Sequence, residues 1–118
     1  MKESIIRDKS YSFALRIIKL YQYLTLSSEH KEFVLSKQVL ISGTSIGANV
    51  KEAIRGQSKP DFRAKMSIAL KEASETEYWL NLLYDSGYMD DKSFESIITD
   101  NVELIKILTS IVKSSEND

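Results

Sequence analysis

Apolar positions along this chain recur at spacings of three and four, and no stretch alternates with period two, so helices and no sheet are expected. After Ser10, Phe13, Ala14, Ile17, Tyr21 and Leu24 share one face, opposite Ser12, Arg16, Lys19 and Gln22. The polar run Ser27 to Lys31 ends this first helix, and Ser28 can cap the next, with acids following in its first turn.

The second helix is small or apolar over most of its circumference. Phe33 with Leu40 and Gly47, Val34 with Ile41 and Ala48, and Val39 with Ile46 and Ala53 each repeat every seven residues, in different directions. Such a helix should be buried on more than one side, the second side being another subunit. Gly43 and Gly47 each cost about 1 kcal/mol relative to Ala, which some close contact should offset.

Ser58-Lys59-Pro60-Asp61 reads as a helix start, with Ser58 as N-cap, Asp61 as capping-box acid and Pro60 in the first turn. Phe62, Met66, Ala69, Ala73, Thr76, Leu80 and Leu83 then form an unbroken heptad seam. Gly87 and Tyr88 form a stop. A last helix starts near Asp90 or Asp91 and carries Phe94, Ile97, Ile98, Asn101, Ile105, Leu108 and Val112 on one face. The expected helices span 10–26, 32–56, 60–86 and 91–113. Short loops make them antiparallel neighbours, so residues 1–118 are expected to form one all-α domain, an up-down-up-down four-helix bundle.

Composition narrows the function. A chain of 118 residues can bury a core without staples, and the absence of cysteine removes disulfides and thiolate metal sites. Charges at Lys2, Glu3, Arg7 and Asp8 leave no room for a signal peptide, and no apolar run reaches the ~20 residues a membrane span needs. A cytoplasmic protein is expected. The net charge of -1 hides segregation: residues 51–71 hold six Lys/Arg against two Asp/Glu, whereas residues 72–118 hold three against eleven.

Catalytic groups are scarce. His30 is the single histidine, and Ser27 stands three residues before it, so a ferritin-like Glu-x-x-His centre is excluded by ligand type. Glu52, Glu72, Glu75 and Glu77 would be the carboxylates of a Mg²⁺ or Mn²⁺ site, but acids on helices ordinarily solvate a face or pair with nearby cations. Gly43-Thr44-Ser45-Ile46-Gly47 lacks the Gly-Lys-Ser/Thr ending and the preceding strand of a phosphate loop. No enzyme activity, cofactor, metal or small-molecule substrate is expected.

Two patterns remain. Ser42, Ser45, Asn49 and Glu52 form a polar strip on the apolar second helix, with Lys65, Glu72 or Thr76 on the third as partners. With Gly43 and Gly47 these are candidates for a buried polar network or an oligomer interface. An unpaired buried polar group costs roughly 1–3 kcal/mol, so a network that fixes helix register is favoured over a ligand site. Lys51, Arg55, Lys59 and Arg63, spaced by four, either track phosphates or form a solvated hairpin that pairs with a neighbour's acidic last helix. Phe62, the one aromatic residue within this run, belongs to the third-helix seam, so none is left to alternate with the cations as in a single-strand platform.

Ser36-Lys37-Gln38, Ser42-Gly43-Thr44-Ser45-Ile46-Gly47-Ala48-Asn49-Val50 and Glu52-Ala53 closely resemble the signature of the protein family encoded by intervening sequences of 23S ribosomal RNA genes. Ser58-Lys59, Asp61-Phe62, Lys65, Ser67 to Ala73 and Glu75-Thr76-Glu77-Tyr78-Trp79-Leu80 agree as well, and the likeness runs from Tyr11 to Ile111. The chain is also similar to accessory proteins of diversity-generating retroelements. The resemblance implies an antiparallel four-helix bundle assembled into a homopentamer around a central channel. It implies RNA or a ribonucleoprotein as partner and brings no catalytic residues. The competing expectation is a protein-interaction scaffold with no nucleic-acid role.

Overall fold

The computed structural model describes residues 2–27 and 29–116, and it is a bundle of four antiparallel helices measuring 50 × 21 × 19 Å. The helices are α1 (Lys2–Leu26), α2 (Leu35–Ile54), α3 (Lys59–Asp85) and α4 (Asp91–Glu116). No strand occurs among the described residues. Each helix packs on the next along the chain, and α1 closes on α4.

The core is a stack of seam residues, and the α3 seam is the one its spacing gives. Met66, Ala69, Ala73, Thr76, Leu80 and Leu83 are buried, with Phe62 half-buried at the edge. On α4 the seam is Ile97, Asn101, Leu104, Leu108, Ile111 and Ser115, while Phe94, Ile98, Ile105 and Val112 flank it half-buried. Ion pairs clasp α1 to α4: Lys9 reaches Glu103 at 3.1 Å, and Arg16 holds Asp100 and the Ser96 hydroxyl.

Three helix ends differ from expectation. The first helix begins two turns before Ser10, because Ile6 and Ser10 continue the buried face of Phe13 and Ile17. Ser10 does not break it, since its hydroxyl donates to the Arg7 carbonyl at 3.1 Å. The second helix starts at Leu35, capped by Glu32: its carboxylate accepts from the amides of Val34, Leu35 and Ser36 at 3.1, 2.9 and 2.7 Å. Ser28 lies outside the described residues. The last helix continues to Glu116, where Arg63 donates to the Ser115 carbonyl at 3.1 Å.

The remaining ends follow the sequence. Ser58 accepts from the Asp61 amide at 3.1 Å, and Pro60 occupies the first turn of α3. Gly87 has φ +89°, and the Tyr88 amide donates back to Leu83 O at 2.9 Å, the Schellman ending. Among the described residues no helix is long and apolar enough to cross a membrane.

Candidate nucleic-acid interface

Antiparallel helices bring the amino end of α1, the α2–α3 turn and the carboxyl end of α4 to one end of the bundle. The four cations spaced by four all fall there, but they do not form one cluster. Lys51, Arg55 and Lys59 are exposed and make no ion pair among the described residues. Arg63 is half-buried and spent on the α4 carbonyl at Ser115, because its position on α3 turns it towards α4. Around the turn, Lys65 pairs with Glu52 at 3.1 Å, which leaves Lys51 in the last turn of α2 and Arg55 just past its end without an ion pair.

The polar strip of α2 divides into separate pieces rather than one network. Thr76 Oγ1 lies 2.9 Å from Ser42 Oγ and 2.8 Å from the Glu72 carbonyl oxygen, deep in the core. One hydroxyl proton serves only one of these contacts. Both close when Thr76 donates to the carbonyl and Ser42 donates to Thr76. Ser45 instead donates to Ile41 O at 2.6 Å, and Asn49 to Ser45 O at 2.8 Å, both within their own helix. The Glu72 carboxyl takes no part; burial, and then the charge of Glu75, push it above the usual carboxylate range.

The two glycines face α1 of the same chain. A Cβ at Gly43 would lie 2.8 Å from Ile17 Cγ1, whereas one at Gly47 would lie an ordinary 3.4 Å from Ser10 O. The close contact expected of them is therefore between α1 and α2. A groove remains outside this contact, bounded by α1 on one side and α2 on the other. Arg7, Tyr11, Leu15 and Ile18 line it from α1, and Thr44, Ala48, Lys51 and Arg55 from α2. Arg7 and Tyr11 were not singled out in the sequence. Tyr11, Leu15 and Ile18, spaced four and three on the face opposite Phe13 and Ile17, carried the signal.

His30 is held between aromatic rings. Its Nε2 is 3.1 Å from the Tyr23 hydroxyl, and the Tyr23 and Tyr88 rings stand edge-on at 5.3 and 5.5 Å. Among the described residues no group of three or more His, Cys, Asp or Glu is placed to hold a metal ion.

Fold and surface together define a small antiparallel four-helix bundle with an unpaired basic end. Residues 2–110 match the family described as 23S rRNA-intervening sequence protein, and the chain belongs to that family. A solved structure, a protein of unknown function from the S23 ribosomal protein family of Bacteroides thetaiotaomicron, is 54% identical. That likeness covers 96% of this chain and 99% of the other, with a TM-score of 0.91. No curated protein matches.

Proposed function

We propose that this protein is a non-catalytic, homo-oligomeric binding module of the cytoplasm whose partner is RNA or a ribonucleoprotein. The observation that carries this reading is the end of the bundle where Lys51, Arg55 and Lys59 stand exposed and unpaired. Cations not engaged in ion pairs can displace the counterions condensed on phosphates, which makes such an end an electrostatic footprint for nucleic acid. The family description refers to 23S rRNA and the neighbour's to a ribosomal protein family, which supports RNA over other polyanions. Copies associate as a pentamer, as the family resemblance implies, using apolar side chains left exposed on α2 and α3: Ile41, Ile68 and Tyr78. In a ring, the basic ends repeat around one rim.

Filter binding of structured RNA tests the partner. Affinity should fall steeply from about 50 to about 200 mM salt and weaken on replacing Lys51, Arg55 and Lys59 by Ala. Affinity indifferent to both salt and these substitutions would sink the RNA reading. Light scattering tests assembly, and a monomeric mass would remove the oligomer. A second reading, a protein-interaction scaffold, is favoured by Leu26, Phe33 and Val34, exposed together around the α1–α2 connection. It predicts a stoichiometric protein partner that survives nuclease treatment.

A further inference from the structure

We propose that the groove between α1 and α2 is a site for single-stranded RNA, with Tyr11 as a stacking surface for unpaired bases and Arg7, Lys51 and Arg55 as phosphate contacts. The inference rests on the RNA reading above. It adds two residues of α1 and the strandedness of the ligand.

The groove encloses about 860 Å³ along the outside of the α1–α2 pair. Its lining includes the small residues Ser10, Ala14, Gly47 and Ala48, over which a ligand can come close to both helices. Tyr11 is 68% exposed, and among the described residues it stacks on no other ring and its hydroxyl makes no hydrogen bond. A tyrosine held this far out of a folded helix leaves most of its apolar ring in water.

Arg7 is one helical turn from Tyr11, and Lys51 is one turn from Arg55 on the opposite wall. The Arg7 Nε is engaged by Asp8 at 3.1 Å, which leaves both terminal guanidinium nitrogens to meet a phosphate. An aromatic face beside a cationic track is what sequence-tolerant single-strand sites combine. The one aromatic inside the basic run, Phe62, packs against the core; the fold supplies an exposed one from α1.

Strandedness follows from the same geometry. In duplex RNA the base faces are covered by their neighbours, so the protein meets only backbone and groove edges. Packed helix axes lie about 8–10 Å apart, so the furrow between two of them is narrower than a duplex. Unpaired bases expose the faces that Tyr11 can cover, while their phosphates reach the cations.

The test titrates a labelled oligouridylate and a labelled RNA duplex against the full chain and its Tyr11→Ala, Tyr11→Phe and Arg7→Ala variants, with circular dichroism melts and light scattering on each. The single strand should bind more tightly than the duplex. Tyr11→Ala should weaken it by about ten-fold or more, while Tyr11→Phe keeps the ring and the affinity. Arg7→Ala should flatten the salt dependence by about one phosphate, a slope change of about 0.7.

Equal affinity for duplex, or no loss on Tyr11→Ala while Lys51→Ala still weakens binding, overturns the groove and leaves the RNA reading intact. A Tyr11→Ala variant that binds RNA normally but loses oligomeric mass assigns the groove to contacts between copies and also overturns it. If the unmodified chain binds neither RNA, the RNA reading falls and the groove site with it.

Discussion

Gly43 occupies a position where Ile17 leaves no room for a side chain: a Cβ there would lie 2.8 Å from Ile17 Cγ1 and 2.9 Å from Cγ2. Gly47, one turn on, meets only ordinary contacts. The two should therefore respond oppositely to alanine. Gly43→Ala should cost about 1–3 kcal/mol through overpacking, more than the helix propensity it adds. Gly47→Ala should be neutral or stabilising by up to about 1 kcal/mol. Urea denaturation of the two variants checks this.

The Ser42–Thr76 pair joins α2 to α3 inside the core. Thr76→Val keeps the shape but leaves Ser42 without its cross-helix partner, and should cost about 1–2 kcal/mol. Adding Ser42→Ala removes the stranded group, so the double variant should lose less than the two single losses summed. A double-mutant cycle measures the difference.

Glu32 and Glu72 should give stability opposite slopes in acid. Burial pushes the Glu32 carboxyl up, but the amides of Leu35, Ser36 and Val34 together outweigh it and hold it below its ordinary 4.5. Its stabilising share is present above that value and is lost as pH falls through the lower folded one. Glu72 is raised above 4.5 by burial and by Glu75, so its ionised form is a burden that lifts as pH falls through the raised value. Relative to the unmodified chain, Glu32→Gln should therefore lose most at neutral pH. Glu72→Gln should gain there, and both differences should shrink in acid melts.

Asn101 is fully buried; its Nδ2 donates to Ala73 O at 3.2 Å, and its Oδ1 has no partner among the described residues. Asn101→Asp would put a charge where even a neutral oxygen is unsatisfied, and should cost about 3 kcal/mol or more at neutral pH. Asn101→Leu should be tolerated far better. Thermal melts of the two should separate by about 10 °C or more.

Arg63 and Lys59, four residues apart, should separate stability from binding. Arg63→Ala removes the donor to Ser115 O and should fray the end of α4, seen as faster amide exchange there, with RNA affinity unchanged. Lys59→Ala should do the reverse, since Lys59 is exposed and holds nothing.

What one helix decides alone was legible in the sequence. The α3 seam and the Ser58 cap follow from spacing within a few turns, because periodicity and capping are local properties of the backbone. The first two turns of α1 and the Glu32 cap were missed because Ser10 and Glu32 are polar residues whose roles depend on burial and on reach to particular backbone groups. Which helix meets which residue depended on the rotation and separation of the helices. That arrangement sends Arg63 to α4, splits Ser42 from Ser45 and Asn49, and sets Tyr11 across a groove from Lys51, forty residues away in the chain. The distance between α1 and α2 is in turn set by Gly43 against Ile17, a contact between residues too far apart in sequence for any local spacing to reveal.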